Sequence, residues 1–494
     1  MKLFLPLLIT LPLIASLLIA AGANPRRTAL VAAFVNLIAS IILFAGYDLH
    51  AGGWQFVSEV PVIPRLGINL ILGADGLTLT MLLLSTLVTF SALWVAPKIE
   101  KQEGLYYIAL LFISAGVIGA FSSLDILFLY SFHELALIPT FLLIGIWGSG
   151  DRQSAAWKAT IYLGAGSFVL LIGLLAFYLF SMPPGLRTFD LREINHLASA
   201  GLLHPSSWIY LILLIGFGTL VSLFPFHSWA PPAYASAPAP AAMLHAGVLK
   251  KFGLYGLIRI VLPFFPDAVQ HFSWLLILLL IGNIGYIGYV TVAQKRLDWT
   301  VGYSSVMHMG YIFLGLASLN ILGFHGAGIL MFAHGLSVAA AFALCGEIRQ
   351  RTGTLDYAEL GGLGQVLPVM GILFGFVTMA SVGLPGFANF AGEVLVFFGG
   401  VVSFDFGIVN LLGFQFPLMI PAIVIGVWGV VISAIYMLRA YRNIFWGPVA
   451  ERWQSLTDIT PTAKYSVILL LLPLMIAGFY PQLILKMVGT AIPR

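Results

Sequence analysis

The sequence predicts an all-α membrane protein of about 14 transmembrane helices, with two inverted five-helix repeats that each contain a broken helix. Three observations lead there. Of the 494 residues, 60% are hydrophobic and only 9% are charged, against roughly a quarter charged in an ordinary soluble domain, and the mean hydropathy is +1.02. The apolar residues gather in runs of the ~20 residues that a spanning helix needs. Two of those runs are interrupted by proline-rich stretches five runs apart, a pattern of repeated transporter halves. The composition excludes a soluble enzyme, a secreted disulfide scaffold and a disordered chain.

The runs lie at about 3–22, 28–46, 76–96, 105–121, 124–147, 156–181, 207–224, 236–260, 272–293, 301–319, 321–346, 365–402, 417–440 and 465–488. The first follows Lys2 and ends on small residues like a signal peptide, but it is long and a second run follows at once, so it reads as an uncleaved helix. In the seventh, Phe224 leads into Pro225-Phe226-His227-Ser228-Trp229-Ala230-Pro231-Pro232. The twelfth contains Gly383-Leu384-Pro385-Gly386-Phe387-Ala388-Asn389-Phe390. Proline removes an intrahelical donor and clashes with the previous turn, so both helices should break. Unwound backbone at membrane depth survives only when buried in protein or lining a polar cavity. The repeats would then be helices 4–8, residues 105–260, and helices 9–13, residues 261–444. Helices 1–3 precede them in residues 1–104, and a loop with helix 14 follows in 445–494. An odd number of spans per repeat makes the two units inverted.

Orientation follows from basic residues, which favour the cytoplasmic side. With the N-terminus outside, fourteen of the 23 Lys and Arg, among them Arg26, Arg152, Arg296 and Arg351, fall on cytoplasmic loops or helix ends. Six fall outside, Lys2, Arg65, Arg187, Arg192, Lys486 and Arg494, and three lie within the eighth run. Both termini are thus expected outside, in a multi-pass protein of a bacterial inner membrane. The net charge of +4 forms no basic patch, so nucleic acid is not expected as a partner. The single cysteine, Cys345, cannot make an internal disulfide or a four-thiolate iron–sulfur site. No metal constellation, phosphate loop or nucleophile triad is visible, and no cofactor is expected in this chain.

The informative charges are those inside the runs, because an ionisable side chain at a helix centre costs at least ~2.5–3.5 kcal/mol and is functional by default. Glu134 lies about ten residues into the fifth run, roughly 15 Å deep. Glu393 follows the break in the twelfth. Lys250 and Lys251 sit in mid-run, too deep to snorkel fully. Adjacent helix positions diverge by about 100°, so one lysine should face the interior and the other a neighbouring subunit or lipid headgroups. His308 and His334 are interior candidates for proton transfer, or satisfied core histidines. His133, His227 and His245 are accessory candidates. Glu347 and Asp405, at the ends of runs, are expected to be solvated, and Asp125 and Arg259, near helix termini, to need no special role. A carboxyl or amine in such a partly wet interior can hold or release a proton according to its neighbour, which suits a proton carrier.

Several of these residues fall in segments that resemble the antiporter-like proton-pumping subunits of respiratory complex I. The segments are Pro225-Phe226-His227-Ser228-Trp229, Ala246-Gly247-Val248-Leu249-Lys250-Lys251, Tyr303-Ser304-Ser305-Val306-Met307-His308-Met309-Gly310, Ala333-His334-Gly335-Leu336-Ser337, and Gly383-Leu384-Pro385-Gly386 with Gly392-Glu393. They run in the family's order along nearly the whole chain. Glu393, where sister subunits and Mrp antiporters usually carry lysine, makes the chain most similar to the M-type subunit, the counterpart of mitochondrial chain 4. The resemblance implies inverted half-channels joined by a central row of titratable groups: Glu134, Lys251 or its neighbour Lys250, His308, His334 and Glu393. It also implies neighbouring membrane-arm subunits, and flavin, iron–sulfur clusters and quinone in other subunits of the complex. "Enzyme" then applies to the assembled translocase. A Mrp-type cation/proton antiporter, and the proton channel of a membrane-bound hydrogenase or uptake complex, are the rival readings.

The chain departs from the family at one telling place. The span-7 lysine that pairs with the span-5 glutamate is missing, and Leu220 or Val221 stands there; Pro232 replaces the acidic residue after the Trp motif. Glu134 therefore lacks its usual cation. Either His133, His227, His245 or Lys250 substitutes, or the first half-channel is altered.

Overall fold

The computed structural model describes residues 4–411 and 414–491; Lys2 and Arg494, used above for orientation, lie outside the described residues. Helices α1 (Phe4–Ala20) and α2 (Pro25–Ala45) form a hairpin joined at the Asn24 cap and Pro25. A two-stranded antiparallel hairpin follows, β1 (Gln55–Ile63) with β2 (Ile68–Ala74), paired from Gln55–Ala74 to Ile63–Ile68 with register shifts between Gln55 and Ser58 and between Pro61 and Ile63. Then come α3 (Gly76–Val95), α4 (Glu103–Ser122), α5 (Ile126–Trp147) and α6 (Arg152–Phe180). Aspartates set two of these starts. Asp75 accepts the Thr78 amide at 2.9 Å, and Asp125 accepts those of Leu127 and Phe128 at 2.9 and 3.0 Å, meeting donors that a helix N-terminus leaves free.

A short surface helix α7 (Leu191–Ser199) leads to α8 (Ser207–Val221), which ends where Ser222 turns left-handed, φ 66°. The chain unwinds through the proline segment and resumes as α9 (Ala230–Ser236). The eighth run is a distorted helix rather than the regular one expected. It consists of α10 (Ala239–Leu244), a π turn (His245–Leu249), α11 (Lys251–Gly256), a second π turn (Leu257–Val261) and α12 (Leu262–Phe264). Then α13 (Pro266–His271) precedes the ninth run, α14 (Ser273–Ile281) and α15 (Ile287–Val292) around a π turn at Gly282–Tyr286. Helices α16 (Leu297–Ala317) and α17 (Ile321–Thr352) follow, then α18 (Pro368–Val382) and α19 (Ala388–Val402), separated by the second break. A small hairpin, β3 (Ile408–Leu411) with β4 (Phe414–Pro417), precedes α20 (Met419–Phe445), α21 (Pro461–Phe479) and α22 (Gln482–Gly489).

Each of the fourteen apolar runs thus falls on helix. Among the described residues nine helical segments are long and apolar enough to cross a membrane, one of them the continuous stretch Ser273–Val292 formed by α14, its π turn and α15. The two β-hairpins, which lie in the connections between apolar runs, are not marked by those runs. The last run also divides, at Tyr480-Pro481, since the residue before proline disfavours helical backbone.

The molecule is organised around α17, buried without interruption from Gly326 to Cys345, while α2, α6 and α20 turn Phe34, Phe168, Trp428 and other large apolar side chains outward. Apolar surface of this extent needs a hydrocarbon solvent; the chain is an integral membrane protein. Against α17 the eighth run packs backbone to backbone. A Cβ on Gly335 would lie 2.7 Å from the Gly247 carbonyl oxygen, so only glycine permits this approach. That contact sits one turn from Lys251 and beside His334, and it brings the two together.

Candidate functional site

Each break is held by one polar residue from a neighbouring helix. At the first, Asn283 in the π turn of the ninth run accepts the Phe224 amide at 2.7 Å and donates to the Ser222 and Val306 carbonyls at 3.2 and 3.0 Å. At the second, His308 on α16 places Nε2 3.0 Å from the carbonyl of Ser381, in the last turn of α18 before the break. Carbonyls in the last turn of a helix lack intrahelical partners, so both contacts use groups that the proline breaks release.

Both lysines are buried, which corrects the expectation that one would point to lipid or to another subunit. The eighth run packs against α3, α4, α5, α8 and α17 and reaches α16 through Lys250, so directions that diverge still lead inward. Lys251 Nζ donates to the Ala246 carbonyl at 2.7 Å and meets His334 Nδ1 at 2.8 Å. Lys250 Nζ lies 3.2 Å from the Ser305 carbonyl and 3.4 Å from its hydroxyl, 5.6 Å above the Tyr234 ring. The π turn at His245–Leu249 frees backbone at this level, and such turns recur at functional sites. Among the described residues neither lysine has a carboxylate partner.

The row continues toward the second break. The His334 and His308 rings lie 5.6 Å apart between centroids and line one small cavity of about 10 Å³, close to the volume one water molecule requires. His308 Nδ1 is 2.8 Å from the Ser304 carbonyl while Nε2 faces Ser381. A neutral imidazole can donate to only one of these two carbonyls, so a proton taken up on one nitrogen can leave from the other. Glu393 is buried in the first turns of α19, folded against Gly383, where any side chain would collide with its carboxyl. It has no hydrogen-bond partner among the described residues. Tyr311 and Tyr436 are within its electrostatic reach. Around this break the side-chain polar atoms of Asn389, Tyr311 and Thr378 are buried without partners among the described residues. Buried polar groups of this kind are satisfied by ordered water.

Glu134 stands apart. Its side chain is 36% exposed on the flank of α5 and α6 rather than enclosed. Its contacts are Ser167, whose hydroxyl donates to Oε1, and His133, whose Nδ1 is 3.5 Å away. The His133 ring stacks at 4.0 Å on Phe252, next to Lys251. Of the four candidate substitutes for the missing lysine, only His133 touches Glu134. His227 stacks on Phe224 at the first break, His245 faces the Tyr234 hydroxyl at 3.4 Å, and Lys250 turns to α16. Leu220 and Val221 are buried apolar residues.

Two other expectations are corrected. Glu347 is not solvated: α17 runs to Thr352, so the residue is buried and bonded to Arg351 Nη1 at 2.7 Å. Arg259 and Asp125 are not peripheral either. Arg259 is buried and paired with Asp75, and Asp125 ties β2 to α5 by also accepting the Asn69 amide. Asp405 is exposed, as expected. The sequence reading missed Asn283, Ser304, Ser305, Ser381 and Asn389. A lone Asn inside an apolar run was the available signal for two of them, since an amide in hydrocarbon needs partners.

Two broken helices flanking a buried row of lysine and histidine define a class, the antiporter-like helical membrane proteins. The family model described as NADH:quinone oxidoreductase/Mrp antiporter, TM matches residues 123–416. The chain belongs to this family. It is 35% identical to NAD(P)H-quinone oxidoreductase chain 4 2 of Thermosynechococcus vestitus, over 97% of this chain and 89% of that protein. Among solved structures it matches a chain of respiratory complex I from Thermus thermophilus with bound NADH, at TM-score 0.85 and 26% identity, covering 99% of this chain and 100% of that one. A chain of the Mrp complex from Dietzia sp. has the same fold at TM-score 0.83 and 17% identity, covering 99% of this chain and 96% of that one.

Proposed function

We propose that this chain is a proton-translocating membrane-arm subunit of an NAD(P)H–quinone oxidoreductase, coupling quinone reduction elsewhere in the complex to proton transfer across the membrane. The observation that carries the reading is the buried row Lys251–His334–His308, which ends on a carbonyl of the second broken helix. Lys251 Nζ passes a proton to His334 Nδ1, and the ring's other nitrogen offers it through the shared cavity to His308. Lys250 supports the same helix through Ser305, and Glu393 receives the proton beyond the break. The spans 4–8 and 9–13 act as inverted half-channels on either side of this row.

Quinone, flavin and iron–sulfur clusters belong to partner subunits. Glu134 supports the expectation of such partners, because a half-exposed carboxyl at membrane depth needs a protein neighbour rather than lipid. The basic residues favour a bacterial inner membrane protein with both termini outside. The Mrp-type alternative has the shared fold and the joint family description behind it, but the relative matched at 35% identity is an NAD(P)H-quinone oxidoreductase chain.

The test is proton yield per electron in the whole complex reconstituted in vesicles. Lys251→Met should remove this subunit's contribution and slow coupled turnover by about 10²-fold, the usual size of a lost acid–base group. Parental yield in an assembled Lys251→Met complex would overturn the proposal.

A further inference from the structure

A cavity of about 980 Å³ lies away from the row just described, at the end of the molecule where α3 begins and the eighth run ends. It opens between exposed Gly53, Gln270 and Ile321. By the orientation above, this is the outer side. Its deep wall carries Asp75, Arg259 and Trp54.

From that wall a chain of hydroxyls runs inward. Arg259 Nη2 pairs with Asp75 and reaches the Thr78 hydroxyl at 3.2 Å. Thr78 Oγ1 is 2.8 Å from the Tyr255 hydroxyl, which donates to the Phe121 carbonyl at 2.7 Å. Phe121 is in the last turn of α4, where carbonyls are left free. Arg259 is clamped between the Trp54 and Tyr255 rings, 4.6 and 4.8 Å from their centroids. Its Nε is buried with no partner among the described residues. Tyr255 lies four residues after Lys251 on α11, so the two side chains are neighbours on one helix face.

The geometry points to a second proton outlet: from Lys251 through the hydroxyls of Tyr255 and Thr78 to Asp75, and out through this cavity without crossing the second broken helix. The step balances. The Lys251 ammonium, swung from His334 toward Tyr255, gives its proton to the phenol oxygen as the phenol proton passes to Thr78. The Thr78 proton passes to the Asp75 carboxylate, and water in the open cavity takes it from there. Each hydroxyl ends with the single proton it began with after turning about its C–O bond, and the lysine is left as the amine. Arg259 is a positioning residue that holds Asp75 and Thr78 in line. The opposite swing of Lys251, toward His334, feeds the row already described, so this lysine is the branch point.

The inference rests on the proposed proton-translocating function, and the experiment separates the two. In the whole complex reconstituted in vesicles, proton yield per electron is measured for Tyr255→Phe, Thr78→Val and Asp75→Asn beside Lys251→Met, with quinone reduction recorded to show assembly. Tyr255→Phe and Thr78→Val keep side-chain volume and remove only the hydroxyls, so they carry the test if Asp75→Asn, which also alters a helix cap, fails to assemble. The expected result is a lowered yield in each, with Asp75→Glu recovering more of it than Asp75→Asn. Tyr255→Phe and Thr78→Val at parental yield, with Lys251→Met lowered, would overturn the outlet and leave the proposed function standing. Lys251→Met at parental yield would overturn both.

Discussion

The two broken helices are repaired by different chemistry. At the first, an amide, Asn283, makes three fixed hydrogen bonds to backbone and has no proton to exchange at neutral pH. At the second, an imidazole, His308, touches two carbonyls and can satisfy both only by changing its protonation. Their carboxylates differ in the same sense. Glu134 sits half-exposed with His133 and Ser167 beside it, whereas Glu393 is buried without a partner among unpaired polar side chains. The two breaks thus differ in which of them meets a titratable group, and the second is the one linked, through His308 and His334, to Lys251.

Exchanging the roles of the two repair residues is the sharpest way to break that contrast. His308→Gln keeps a donor for the Ser381 carbonyl but cannot relay a proton, so proton-coupled turnover should fall severalfold, less than in Lys251→Met, while the complex still assembles. Normal coupled turnover in His308→Gln would erase the distinction. Asn283→Leu should do the reverse. It strips partners from the Phe224 amide and the Ser222 carbonyl, each costing about 1–3 kcal/mol when buried. The thermal midpoint of the solubilised protein should drop, with proton yield per electron in the surviving complex unchanged.

A smaller effect is expected at the helix contact that aligns Lys251 with His334. Gly335→Ala gains about 1 kcal/mol of helix propensity but drives a methyl against the Gly247 carbonyl and Leu84, an overpacking cost of about 1–3 kcal/mol. Backbone cannot move aside as a side chain can, so the clash should win and thermal stability should fall. A stabilised Gly335→Ala would mean the eighth run and α17 are less tightly joined than drawn here. Smallest is Ser167→Ala, which removes a hydrogen bond to a charged group but at a half-exposed position, so about 1 kcal/mol or less is expected in thermal unfolding.

The helices and both breaks were legible in the sequence because hydropathy and proline report directly on lipid exposure and on lost backbone donors. Glu393 and the Lys250–Lys251 pair stood out because a charge in an apolar run has few cheap explanations, whereas His308 and His334 read equally well as satisfied core histidines. Less was legible wherever the answer depended on which helix lay opposite. The burial of both Lys250 and Lys251 follows from an enclosed, π-distorted helix, which periodicity cannot reveal. The half-exposed flank position of Glu134 depends on α6 leaving that face open. Arg259 looked like a terminal charge until the fold placed Asp75, far away in sequence, against it. Asn283 acts through backbone released at the first break and Ser305 through the Lys250 amine, so only a lone amide in an apolar run marked the first and nothing marked the second.

Whether Lys251 and His308 act in series is measured directly by a double-variant cycle on proton yield per electron. If the two residues share one path, Lys251→Met with His308→Gln should lose no more than Lys251→Met alone, because the first block leaves nothing for the second to stop. Losses that simply add in the double variant would contradict the account, since they would mean that the two residues serve separate routes.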